Sequence, residues 1–156
     1  MNAIHESIRK YAFFDGMRPE HLAMLAEGAK VGQFKTGEML FREGEPASKF
    51  YLIESGKILL EAHEPAGGTT LVQTLAAGDV LGWSWLFPPF VWHFQARAVA
   101  PSSVIILDGA HLLVSAEHDH DFGYELMKRV AQVVIRRLQA TRKQLLASQI
   151  ESALNG

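Results

Sequence analysis

Between Val31 and Leu107 the chain is cut into short apolar or alternating runs by glycine-bearing turns, and this spacing restricts what it can fold into. The runs include Met39-Leu40-Phe41, Phe50-Tyr51-Leu52-Ile53, Lys57-Ile58-Leu59-Leu60, Leu71-Val72-Gln73-Thr74-Leu75 and Val104-Ile105-Ile106-Leu107. Lys35-Thr36-Gly37-Glu38, Ser55-Gly56, Gly67-Gly68 and Ala77-Gly78-Asp79 separate them as turns. Many short strands at about 8–12-residue spacing predict an antiparallel sandwich or jelly roll. Before it, Pro19 to Gly28 reads as a short helix, with Pro19 in its first turn and Gly28 at its end.

After Asp108 the period changes. From Asp121 to about Ile150 there is no proline and no glycine beyond Gly123. Asp119 or Asp121 suits the cap of a long helix. Met127, Val130, Val134, Leu138, Thr141 and Leu145 recur at spacings of three and four, which makes one face. Such a helix extends about 45 Å, beyond what one sandwich covers, so the stripe predicts pairing with a second copy. The expected organisation is one domain over 1–156: an N-terminal helical segment (1–30), a β-roll (31–108) and C-terminal helices (109–156).

Composition narrows the class. With 48% hydrophobic and 21% charged residues the chain has enough apolar mass for one core. A net charge of −2 gives no global attraction to nucleic acid. No apolar run approaches a membrane span, and the start has no secretory pattern. The absence of cysteine excludes disulfides and thiolate-held clusters and fits a reducing cytoplasm. No catalytic constellation is present, so an enzyme is not expected.

Three segments together resemble the cyclic-nucleotide-binding domain of the catabolite activator protein and FNR-like regulators. Gly37–Leu60 (GEMLFREGEPASKFYLIESGKILL) looks like the first half of its β-roll. Leu75–Gly82 looks like the approach to its phosphate-binding cassette, and Arg136–Arg142 is similar to its dimerising C-helix. The resemblance implies a double-stranded β-helix, flanked by short N-terminal helices and a long dimerisation helix. It also implies a non-enzymatic regulatory role and a ligand site at Gly82, Trp83, Ser84, Trp85, Phe94, Gln95, Ala96, Arg97 and Thr141. Family members that regulate transcription carry a helix-turn-helix after the C-helix. The residues after this helix leave no room for one, so direct sequence-specific DNA binding is not expected.

In the family the cassette has a glutamate for the ribose hydroxyl and an arginine for the cyclic phosphate. Anchored on Ala100, the resemblance puts Trp83 at the glutamate and Phe94 at the arginine. Losing both removes about 2–4 kcal/mol of recognition, roughly 30- to 1000-fold in affinity. A usual response to cAMP is therefore not expected. Arg97 lies three residues beyond Phe94, and alternation along a strand points it to the other face. The alternatives are a cyclic-nucleotide receptor (cAMP or cGMP) rewired through Arg97, Ser84 and Gln95, or a structural dimerisation subunit. Thr141 matches the C-helix threonine that reaches the base, and equally suits a polar position in a coiled-coil seam.

Trp83, Trp85, Phe87, Phe90, Trp92 and Phe94 crowd one segment. They read either as a filled cavity or as an aromatic pocket for a flat ligand, and filling is the commoner use of such rings. No cofactor is required. Haem through His93 is disfavoured, and His118-Asp119-His120-Asp121 has the wrong spacing for a metal site on one helix face. The helix from Phe122 to Ile150 carries six basic residues and one acidic, Glu125, which suits a solvated face. The expected input is a small-molecule ligand or a protein partner, with output through protein–protein contact.

Overall fold

The computed structural model describes residues 3–155. Helix α1 (Ala3–Arg9) and α2 (Pro19–Ala26) precede eight strands: β1 (Lys30–Phe34), β2 (Met39–Phe41), β3 (Lys49–Ser55), β4 (Lys57–His63), β5 (Thr69–Ala76), β6 (Val80–Leu81), β7 (Gln95–Ala98) and β8 (Ser102–Asp108). Helices α3 (Gly109–His118) and α4 (His120–Asn155) follow. The strands form two four-stranded antiparallel sheets, ordered β1-β8-β3-β6 and β2-β7-β4-β5. The jelly roll expected from turn spacing is present, with helices at both ends of the chain.

Alternation along β3 and β8 explains why the first sheet reads as continuous apolar sequence. Tyr51, Ile53, Val104 and Ile106 face the second sheet and join Phe41, Ile58, Leu60, Leu75, Leu81, Trp92 and Ala96 in the roll interior. Phe50, Leu52, Ile105 and Leu107 point the other way, into a second core with Ile8, Leu22, Leu25, Trp85, Leu112, Phe122 and Leu126. A sheet buried on both faces cannot show a polar–apolar rhythm. The two cores tie the helices to the roll.

Capping fixes the helix starts. Pro19 opens α2 in the first turn. The Asp108 carboxylate accepts from His111 N at 3.1 Å, opening α3, and Asp119 accepts from Phe122 N at 3.1 Å, opening the packed part of α4. Asp119 is therefore a cap within the His118–Asp121 run. Helix α4 is anchored by Phe122, Leu126, Arg129 and Val130. Arg129 binds the Glu125 carboxylate and donates to Asp15 O at 2.7 Å, fastening the helix to the N-terminal segment.

Beyond that anchor the helix leaves the body. Its 36 residues span about 54 Å, and every residue from Leu138 to Asn155 is exposed. Met127, Val134, Leu138 and Leu145 form an exposed apolar seam. Val130 does not belong to it. At 1% exposure it is buried within the protomer, in the part of α4 that the body still covers. No described helix is long and apolar enough to cross a membrane.

Candidate ligand site

The cassette begins where β6 ends. Gly82 takes φ +89°, and a Cβ there would stand 2.9 Å from the Trp92 ring, so both conformation and space require glycine. The segment that follows is fastened to the β2–β3 loop. Trp92 N donates to Glu45 O at 3.0 Å, Gly44 N to Trp92 O at 2.8 Å and Ala47 N to Phe90 O at 2.8 Å. The Pro88–Pro89 bond within it is cis.

The aromatic residues of this segment diverge instead of lining one pocket. Trp92 stacks on Phe41 in the roll interior, centroids 3.8 Å apart and planes 14° apart. Trp85 turns the opposite way, into the helix-side core beside Phe50, and closes on Gly109, where a Cβ would lie 2.6 Å from its Cγ. Its assignment to a ligand site is thus corrected: at 2% exposure the indole is core. Phe94 packs against the roll interior, and Phe87 and Phe90 stay exposed.

Strand β7 sorts the remaining cassette residues by face. Ala96 pairs with Leu60 and is fully buried, so it too is core and not a ligand contact. Gln95 pairs with Glu61, and Arg97 pairs with Leu59, so both lie on the opposite face. There the Arg97 guanidinium donates Nε and Nη2 to the Glu61 carboxylate, each at 3.1 Å, and Gln95 donates to the same carboxylate at 3.1 Å. Thr69 adds a longer bond at 3.4 Å. Arg97 is a partner of Glu61 and is not presented to the roll interior. Gln95 is likewise withdrawn from ligand duty.

The Arg97 hydrogen bond, helped by Gln95, holds the buried Glu61 carboxyl below its ordinary value of 4.5 despite the opposing effect of burial. A depressed carboxylate contributes stability above its unfolded pKa and loses it as pH falls through the folded one. Wild type should therefore lose stability below about pH 4.5, and Glu61→Gln should lose less over the same interval. Thermal melts of both proteins across that window check the sign. A Glu61→Gln curve parallel to wild type would remove this carboxylate from the account.

A separate cleft lies beside α4. About 790 Å³ in volume, it runs between β5, the β5–β6 turn, the N-terminal residues Ala12 and Phe13, and the inner face of α4. Of the residues that sequence reasoning assigned to ligand, only Thr141 lines it; Gly82, Trp83, Ser84, Phe94 and Arg97 do not. Trp83 stands at its edge and is covered by Arg137, whose guanidinium carbon lies 4.4 Å above the indole centroid. Arg137 Nε donates to Gln73 Oε1 at 2.8 Å. Gln73 shares the interior sheet face with Leu60 and Ala96 by register.

Arg137 and Gln73 escaped the sequence reading, although one signal for the arginine was present. The resemblance places Thr141 at the pocket, and a residue four positions earlier shares its helix face. Glu61 also had a signal, a lone acid inside the apolar run Ile58–Ala62, which demands a partner.

The cyclic nucleotide-binding domain family matches residues 31–118, the roll together with α3. The chain belongs to that family. A CRP-like cAMP-activated global transcriptional regulator of Mycobacterium tuberculosis is 26% identical over 140 residues, 90% of this chain and 61% of the regulator. A putative cyclic nucleotide-binding protein from Geobacter metallireducens superposes with a TM-score of 0.78 at 30% identity, covering 88% of this chain and 99% of that one. The Thermus thermophilus catabolite activator protein superposes at 0.68 with 21% identity over 85% of this chain and 61% of its own, a likeness of fold. The chain thus spans about three fifths of the curated regulator it matches. The cyclic nucleotide-binding fold is established by the family match together with the two-sheet roll and its flanking helices, and the chain is similar over most of its length to a CRP-like protein.

Proposed function

We propose that this cyclic nucleotide-binding domain is a non-enzymatic, cytoplasmic sensor module that does not read cAMP through its cassette. Its ligand would enter the cleft between β5 and α4, and its output would pass through a homodimer to a protein partner. One observation carries the reading. Arg97, the cation nearest Phe94 in sequence, is closed in a two-bond pair with Glu61. Phe94 has no polar group and Trp83 only a neutral indole N–H, so neither can accept from a ribose hydroxyl or neutralise a phosphate. A phosphate entering the roll by the family's route meets no partner and leaves its hydration behind, which is costly.

The proposed lever is α4. Its inner face, with Arg137, Ala140 and Thr141, lines the cleft, while Leu138 and Leu145 lie on the exposed seam. A ligand that prefers one position of the inner face shifts the seam by the same free energy.

Thermal melts against cAMP, cGMP, haem and fatty acids test the reading. A native-state ligand at a hundred times its dissociation constant adds about 2.7 kcal/mol, a rise of roughly 5–10 °C in a chain this long. The two cyclic nucleotides should leave the midpoint unchanged, with the rise coming from another ligand class. If nothing in a wider metabolite panel raises it, the sensing role gives way to a purely structural dimerisation subunit, which the exposed seam already favours.

A further inference from the structure

We infer that Arg137 is the anion-binding residue of the cleft, so that the ligand is an organic anion held from α4 instead of from the cassette. This rests on the sensor reading above and names the chemistry of its ligand. Three observations support it. Arg137 lines the cleft with its guanidinium largely withdrawn from water, and burial pulls its pKa below the usual arginine value. Among the described residues no carboxylate lies within ion-pairing distance of it; the charge is met only by the Trp83 ring and the Gln73 amide oxygen. The cleft itself is cationic, with Arg129 and Arg136 also on its wall and Asp79 its one acidic lining residue.

Each neighbouring charge is already engaged or differently placed. Arg129 is bound to Glu125 and Asp15, Arg136 is exposed, and Asp79 accepts from Ala76 N at 2.9 Å within its own turn. Arg137 keeps its Nη donors uncommitted, and the planar fork suits two parallel bonds to a carboxylate or phosphate. Stacking on Trp83 holds the fork in orientation, so little side-chain freedom is lost when an anion arrives. The apolar part of the wall, Leu71, Val72, Val80 and Val133 among it, suits an organic body behind the charged head.

Charged and neutral probes of the same body test this in two arms: decanoate against decanol, and naphthyl phosphate against naphthol. Calorimetric titration reads affinity, and far-UV circular dichroism verifies that each variant is folded. In wild type the charged member of at least one pair should bind about 10- to 100-fold more tightly than its neutral twin. The pair that shows the margin identifies a carboxylate or a phosphate ester. Arg137→Gln should abolish the margin and leave the neutral twin unchanged, Arg137→Lys should retain part of it, and Arg97→Gln should retain all of it. No margin in either pair, or one that survives Arg137→Gln, overturns the assignment. Neutral and charged probes binding wild type and Arg137→Gln equally well would leave a sensor without an anion hook. Failure of every probe to bind would count against both readings.

Discussion

Replacing Leu138 and Leu145 with glutamate should convert a two-chain particle into a monomer. The two leucines are 67% and 59% exposed in the single chain, although they lie on the seam with Met127 and Val134. Fully burying a leucine contributes about 1.5–3 kcal/mol, so with about six-tenths of each still exposed a symmetric pair of helices stands to gain about 4–8 kcal/mol from its four leucines. Losing that much weakens dimerisation by about four orders of magnitude, before the repulsion between introduced carboxylates is counted. Light scattering should move from the mass of two chains to that of one, 17.3 kDa.

The same substitution should reduce the helical signal in circular dichroism. The stretch from Leu138 to Asn155 is exposed throughout, and an isolated helix of that length is marginal in water. The body should persist, because Phe122, Leu126 and Val130 secure the first turns of α4. A wild-type protein that already runs as a monomer, with a melted tail, would remove the dimer from the account and with it the proposed lever.

The fold was legible because its punctuation is local. Glycine-bearing turns such as Ser55-Gly56 and Ala77-Gly78-Asp79 fall where the strands end, and the change of period after Asp108 marks the passage to helices. The stripe on α4 was also legible, except at Val130, because periodicity gives a face but not where along the helix the body stops covering it. Alternation along β7 puts Arg97 on the face opposite Ala96, while Phe94, just before the strand, packs against the roll interior.

The site was less legible, for a different reason. Trp83, Trp85 and Trp92 are near neighbours in sequence, yet they go to the edge of the cleft, the helix-side core and the roll interior. The 3-10 turn at Ser84–Leu86 and the loop to β7 separate them, and no fixed period governs such a segment. Glu61 and Arg97 are 36 positions apart, and Gln73 and Arg137 are 64 apart. Pairings of that range come from sheet register and helix docking, which the order of residues alone does not state.

The second large effect expected from the proposal is a lost response to cyclic AMP. If Trp83 and Phe94 stand where the resemblance puts the glutamate and arginine, about 2–4 kcal/mol of recognition is lost, and affinity should fall roughly 30- to 1000-fold below that of an intact cassette. The family's fold is retained around Gly82, and Phe94 and Ala96 help fill the roll where polar partners would be needed. Calorimetric titration of cyclic AMP into wild type and Arg97→Ala, both verified as folded, tests this most directly. The account predicts no saturable micromolar heat in wild type and no change on replacing Arg97. Micromolar binding by wild type that disappears in Arg97→Ala would contradict it.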